Sequence, residues 1–407
     1  MTIIEESPSN TRISRLLSAA AADLDQHHAI SGPVPWRKGT GKLIGDVQAA
    51  GLTGRGGAGF PTWRKLAALA TAEKPVVIAN GAEGEPASTK DAALLTRAPH
   101  LVLDGLQLIA ETVGATAVYL YVKPGPAADS ARAVLAERAA KRWDRYPVRV
   151  VEADRTFIAG EESAVIAKIS GRRALPFDKR RLIVHSGLNG RATLVQNVET
   201  LAHLGQIARN GPDWFRRLGT AEEPGTFLAT VGGPVARPGV YEVPIGIPIS
   251  ALLELAGGAT EPAQATLIGG YHGTWLPYGA LGHTPLSRAA LAPLGGSPGA
   301  GVVLALPRSR CGLRETATIV RYLAAQSARQ CGPCRNGLPA MAALFDDLAQ
   351  GRGGPGSVAG LHELSTVVRG ACHHPDGSAR LVRSALDTFD AEVRLHLTGR
   401  CSAGDPR

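Results

Sequence analysis

Apolar and polar positions change rhythm three times along this chain. Between 41 and about 215, short apolar runs alternate with helical stretches. Pro75-Val-Val-Ile-Ala-Asn80, Ala115-Thr-Ala-Val-Tyr-Leu-Tyr-Val122 and Pro147-Val-Arg-Val-Val-Glu152 read as buried strands. Asp91 to Val113 and Gly125 to Lys141 read as helices, the first divided at Pro99. Strands alternating with helices predict a parallel sheet with crossovers and ligands at its carboxyl ends. Ser186 onward is expected to enter one apolar helix reaching about Ile207. Ahead of this region, Thr11 to Asp25 has amphipathic spacing, with His27 and His28 as solvated capping residues. From about 222 the texture becomes hairpin (Gly225 to Pro234, Arg237 to Val243), helix (Pro248 to Leu255) and strand (Ala265 to Tyr271), a small α+β module. From about 308 the pattern is helical: Leu313 to Ser327, Leu338 to Leu348, Gly356 to Val368 and Ser378 to Leu397, an antiparallel bundle. The division predicted is 1–40, an N-terminal helical extension; 41–221, a nucleotide-binding α/β domain; 222–306, the small module; and 307–407, the bundle.

The stretch Gly51-Leu-Thr-Gly-Arg-Gly-Gly-Ala-Gly-Phe-Pro-Thr-Trp-Arg-Lys65 breaks that rhythm. Its glycines bury no side chain and are costly to order, so they suit a place where backbone N–H groups approach a ligand. The loop feeds a helix N-terminus, a ready site for the phosphate of a nucleotide, with Lys65 as a charge partner. At the predicted carboxyl ends stand Asn80, Glu83 and Glu85 after the first strand, and Gly160, Glu161 and Glu162 after the third. Acids opening a helix are also favourable on dipole grounds alone. The basic run Gly171 to Arg181 either holds nucleotide phosphates or is a solvated loop.

Composition narrows the classes. With 407 residues, 44% of them hydrophobic, and a formal charge of +9, a substantial core and an acidic partner are both expected. No compact basic-aromatic run marks a nucleic-acid binder. No apolar run reaches membrane-spanning length, and no secretory signal pattern opens the chain. The five cysteines all fall in the last quarter, which points to local chemistry in a reducing cytoplasm. Cys331-Gly-Pro-Cys334, with Cys372 farther on, has metal-ligand spacing. Zinc with His373 or His374, an iron–sulfur cluster and a redox dithiol all fit it.

Taken in order, these segments resemble the family of the flavin-bearing 51 kDa, or F, subunit of respiratory complex I, which includes diaphorase subunits of NAD-linked hydrogenases and formate dehydrogenases. The resemblance rests on Gly54-Arg-Gly-Gly-Ala-Gly-Phe-Pro-Thr62, Glu83-Gly-Glu-Pro86 with Lys90-Asp91, Ala159-Gly-Glu-Glu-Ser-Ala164, Gly171-Arg-Arg-Ala-Leu-Pro176, Asn197-Val-Glu-Thr-Leu201, Gly232-Gly-Pro with Arg237 to Tyr241, and Cys331-Gly-Pro-Cys-Arg-Asn-Gly337. It implies a Rossmann-like FMN domain, a ubiquitin-like β-grasp module of the SLBB (soluble-ligand-binding β-grasp) type and a cluster-binding helical bundle. Gly54, Arg55, Gly56, Gly57, Ala58 and Gly59 would cradle FMN phosphate with Lys65, and Asn80, Glu83, Gly160, Glu161 and Asn197 would line the flavin. Phe60 would stack on NADH, while Glu85, Glu162 and Lys179 would contact the dinucleotide; Glu85 and Glu162 are the candidate catalytic acids. Cys331, Cys334 and Cys372 would hold the cluster.

The implied activity is that of a cytoplasmic NADH dehydrogenase-like protein, moving a hydride from NAD(P)H to FMN and single electrons through the cluster to a ferredoxin-like, acidic partner or a quinone-reductase complex. Such a protein has no membrane span but can sit at the edge of a membrane complex. Ala328 stands where the family has a further cysteine, which leaves three thiols for the four-iron (4Fe-4S) cluster the resemblance implies, so a three-iron (3Fe-4S) cluster, an open iron site or a substitute ligand such as His373 or Cys311 follows. Ala82, Gln196 and Leu182 also depart from the pattern around the nucleotide. The alternative is a non-catalytic flavin and iron–sulfur protein that no longer binds NADH.

Overall fold

The computed structural model describes residues 14–37, 41–178 and 181–404. The chain divides into two compact units: residues up to Gly84 with Ser88–Ala229 and Val240–Gly246, and Glu85–Ala87 with Thr230–Gly239 and the chain from Ile247 onward.

The first unit is built on a parallel sheet of four strands, β1 (Val76–Gly81), β2 (Ala117–Val122), β3 (Val148–Glu152) and β4 (Thr193–Asn197), in the order β3-β2-β1-β4. Val76, Val77, Ile78 and Ala79 of β1 are fully buried, as a central parallel strand covered on both faces must be. Lys90–Arg97 and Pro99–Val113 are separate helices, divided at Pro99 as expected.

Three expectations change. The single helix expected after Ser186 is a strand, β4, followed by the helix Val198–Asn210. The Asn197 side chain accepts from Glu199 N and caps that helix, so the chain turns sharply there. No helix runs through the described part of Thr11 to Asp25; Thr11 to Ile13 lie outside the described residues. The backbone N–H groups of Arg15, Leu16 and Leu17 donate to the Glu242 carboxylate, and only a short 3₁₀ turn forms at Leu17–Ala19. The helix begins at Leu24, capped by Asp23. Finally, His27 is not solvated: it is fully buried, with Nε2 2.7 Å from Asp104 Oδ2. His28 is exposed, its ring edge-on to Trp143.

Asp104 also receives Arg138 and Arg209. Burial would raise its pKa, but the His27 hydrogen bond and the two guanidinium groups outweigh burial and hold it well below the usual carboxylate range. Beside this cluster His100 stacks on His27 at 5.2 Å, and Arg138 donates to its Nδ1. Burial first, then Arg138 and His27, lower its pKa to about 4 against weaker opposition from Glu137 and Asp104. The unfolded ring titrates near 6.5. The unfolded chain therefore binds more protons between these values, and stability falls as pH drops from about 6.5 to 4. Denaturant unfolding across that window should show uptake of about one proton from this site, and His100→Gln should remove that share of the slope.

The second sheet has five strands in the order β6-β5-β9-β7-β8: β5 (Thr226–Gly232), β6 (Gly239–Pro244), β7 (Ala263–Ile268), β8 (Thr274–Pro277) and β9 (Val302–Pro307). β9 runs parallel to β5 and antiparallel to β7. Helices Gly312–Ala325, Leu338–Ala349, Pro355–Val367, His374–Thr388 and Asp390–His396 belong to the second unit. The last two replace one expected helix; the break falls at Phe389, whose ring packs edge-on against Trp275. Among the described residues no helix is long and apolar enough to cross a membrane.

Candidate functional site

β1 is flanked by β2 on one side and β4 on the other, so the strand order reverses between β1 and β4. In open α/β sheets that reversal leaves a crevice at the carboxyl ends. Asn80 and Asn197 are register partners at those ends. Asn80 donates through Nδ2 to Gly160 O at 2.9 Å, and its Oδ1 accepts from Ala82 N. Asn197 donates to Asp91 Oδ2 at 2.7 Å.

The glycine loop reaches this crevice. It is pinched shut at its base: Thr53 bridges Pro61, and Gly54 N donates to Phe60 O at 2.9 Å. Gly57 and Gly59 have φ of +100° and +64°, conformations a side chain would strain. A Cβ on Gly56 would stand 3.3 Å from Asn197 Cβ, so the loop lies directly against the end of β4. Gly56 and Ala58 are exposed, and Phe60 keeps 45% of its surface open.

Arg55 differs from its neighbours. It is buried, its guanidinium donates to Thr53 Oγ1 and Pro224 O, and its N–H donates to Thr200 Oγ1. Its bonds anchor the loop, whereas its neighbours line the crevice.

The acids divide similarly. Lys65, on the helix Thr62–Ala70, lies 2.5 Å from Glu162. Glu161 caps the helix Glu162–Ile169, accepting from Ser163 N at 2.8 Å and from the Ser163 hydroxyl. The loop carrying Glu83 packs backbone to backbone on the segment carrying Gly160. A Cβ on Gly84 would sit 1.9 Å from Phe157 O, and one on Gly160 2.4 Å from Ala82 O. Glu85 turns elsewhere, within the second unit: its carboxylate accepts from Tyr271 N at 2.7 Å and Ala87 N at 3.0 Å. Lys179 lies outside the described residues.

Beneath the crevice is a group that the sequence marks only as part of longer motifs. Lys90 Nζ lies 2.7 Å from Asp91 Oδ1 and 2.9 Å from Glu199 Oε2, all three buried. Burial would raise the Glu199 pKa, but Lys90, His203 and Arg55 hold it at about 2. Burial works against the Lys90 charge, yet Asp91 and Glu199 raise its pKa above the ordinary value. The clue in the sequence is three charges within otherwise apolar helix starts.

In the second unit Cys334 is buried within a π-helical turn, Pro333–Gly337, a geometry common where a helix carries function. The neighbouring Cys372 thiol, burial and the Cys331 thiol push the Cys334 pKa up. The residues expected as substitute ligands stand otherwise. Both His374 ring nitrogens are occupied, Nδ1 by His272 and Nε2 by Leu323 O. His373 is largely exposed, at the start of the helix His374–Thr388. Cys311 is set with Glu392, His396 and Cys401.

Both groups of donors fit the cofactors they imply. The loop against Asn197 has room where side chains would intrude, and the buried Gln196 Oε1 beside it is an acceptor without a hydrogen-bond donor, which suits a polar ring system with N–H edges. Three converging thiols are an iron–sulfur donor set.

Residues 47–206 match the family model of the Nuo51 FMN-binding domain, 314–396 that of the NADH-ubiquinone oxidoreductase-F iron-sulfur binding region, and 228–270 that of the SLBB domain. The second F subunit of NADH-quinone oxidoreductase in Rhizobium meliloti (strain 1021) is 30% identical, covering 93% of this chain and 95% of the relative. The F subunit of NADH-quinone oxidoreductase in Escherichia coli (strain K12) is 29% identical over 91% and 88%. A crystal structure of NAD+-reducing NiFe-hydrogenase in the H2-reduced state superposes with a TM-score of 0.81 and 28% identity over 90% of this chain. This chain spans 63% of the length of that hydrogenase chain.

Proposed function

This chain belongs to the oxidoreductase family of the NADH-quinone oxidoreductase F subunit, with its FMN-binding domain and its iron–sulfur binding region, and from that premise we propose that it oxidises NADH itself and sends the electrons to an acidic iron–sulfur protein. FMN held at the crevice would take a hydride from NADH and release electrons singly, and a cluster at Cys331, Cys334 and Cys372 would carry them onward. One observation carries the reading: the glycine loop, Asn80 and Asn197 converge on the carboxyl ends of β1 and β4, at the reversal of strand order.

The residues divide the work. N–H groups of the loop and of the helix starting at Thr62 face an anionic phosphate, and Lys65 supplies the cation. Ligand phosphate competes with Glu162 for Lys65, leaving that carboxylate to orient the dinucleotide. Asn80, Glu83, Gly160 and Asn197 fix the flavin's edges, while Glu161 holds the helix that carries Glu162. Phe60, already exposed, offers an apolar face for stacking. Glu85 secures the backbone at Tyr271. With Ala328 in place of a further thiol, the three cysteines hold a three-iron cluster. The charge of +9 favours an acidic partner for electron exit.

Anaerobic titration of the flavin-loaded protein with NADH tests this proposal. The flavin absorbance should bleach fully with about one and a half equivalents, two electrons for the flavin and one for a three-iron cluster. Flavin that stays oxidised would leave a bound cofactor without a nucleotide donor and refute the reading.

A further inference from the structure

Away from the three cysteines, four side chains from three places in the sequence meet in the second unit: Cys311, Glu392, His396 and Cys401, one ligand atom of each within 4.8 Å of every other. Cys311 Sγ lies 3.4 Å from His396 Nε2 and 3.7 Å from Glu392 Oε1, and His396 Nε2 lies 3.0 Å from that same oxygen. Tetrahedral zinc with bonds of about 2.3 Å to sulfur and about 2.1 Å to nitrogen and oxygen sets donor atoms about 3.4–3.8 Å apart. The tetrad therefore closes around such an ion with movements of a few tenths of an ångström at the measured pairs.

The surroundings orient these groups as a metal site orients its ligands. His396 Nδ1 lies 3.0 Å from Leu348 O; a ring donating there presents the Nε2 lone pair to the cluster. Cys311 is the N-cap residue of the helix Gly312–Ala325, and the backbone N–H groups of Leu313 and Arg314 favour its thiolate. The Ser402 N–H fixes Glu392 Oε1. Glu392 and His396 are one helical turn apart, on one face of Asp390–His396.

We propose that Cys311, Glu392, His396 and Cys401 form a structural zinc site, separate from the iron–sulfur ligands, that fastens helix Asp390–His396 and the following residues to the start of Gly312–Ala325. Two thiols, an imidazole and a carboxylate are a borderline-soft set suited to zinc. All four positions are supplied by protein, so the site is closed and structural. Zinc displaces the two thiol protons to solvent on binding, with no change of oxidation state.

The test is zinc and iron content of the full-length, cofactor-loaded protein purified under reducing conditions, for the natural chain and for Cys401→Ser and Cys311→Ser. The natural chain should carry about one zinc, reduced at least tenfold in either variant, with iron unchanged and a lowered unfolding temperature. Because a variant can fail to fold, cobalt replaces zinc in the natural chain as a second measurement; thiolate-to-cobalt absorption is expected, and is lost on adding excess zinc. Absence of zinc together with absence of cobalt absorption would overturn the proposal. So would iron lost with Cys311→Ser, which would make Cys311 a cluster ligand, or a Cys311–Cys401 disulfide in the reduced preparation.

Discussion

Lys90→Met lowers stability by about 3–5 kcal/mol, the range expected when one partner of a buried ion pair is removed. Lys90 is 1% exposed and is set between Asp91 and Glu199, themselves 2% and 1% exposed. Methionine fills a similar volume, so the loss comes from two carboxylates left without their cation. For a unit of this size the unfolding temperature should fall by about 6–20 °C. The loss extends to the site, because Asp91 holds Asn197 at the end of β4; flavin content should fall with it. Calorimetry and flavin absorbance per chain check both effects. Lys65→Met provides the contrast: its pair with Glu162 is partly exposed, so it should cost under about 1 kcal/mol while weakening flavin retention through the phosphate.

The second large effect concerns the cluster. The natural chain should hold three irons at Cys331, Cys334 and Cys372, and Ala328→Cys should convert this to a four-iron cluster. Position 328 is three residues before Cys331 and only partly buried. Its neighbour Ser327 already reaches Cys334 O at 3.5 Å, so the segment lies near the cysteine turn. Iron and sulfide analysis should rise from about three to about four irons per cluster. Cys334→Ser should abolish the cluster, because it removes the buried thiol beside both of the others and leaves two thiol ligands. Four irons in the natural chain would show that a ligand other than a cysteine at 328 completes the set.

Legibility followed the physics of each element. The glycine run could be read because five glycines in nine residues (51–59) have no place in a core. β1 to β3 could be read because central parallel strands are continuous apolar runs bounded by turns. β4 could not: Thr193-Leu-Val-Gln-Asn197 passes into the apolar helix without Gly or Pro, and the capping by Asn197 is visible only in three dimensions. β8 and β9 also escaped notice; β9 pairs with β5 across some seventy residues. The pairing of His27 with Asp104 is equally distant, and adjacency to His28 suggested solvent instead. At the site, Asn80 and Gly160 stand after strands that the pattern predicts, whereas Asn197 follows only from the family resemblance. The hydrogen bonds of Arg55 to Thr200 and Pro224, and of Glu85 to Tyr271 N, are visible only in three dimensions. The cluster of Cys311, Glu392, His396 and Cys401 left only the spacing of Glu392 and His396 as a clue.

Electron flow within one chain, from NADH through flavin to the cysteine-held cluster, is tested most directly by paramagnetic resonance of the anaerobic, cofactor-loaded protein before and after excess NADH. The oxidised three-iron signal should be present at the start and disappear as the flavin bleaches. A cluster signal unchanged by NADH, with both cofactors bound, would contradict the account and leave a protein that keeps its cofactors without using the nucleotide.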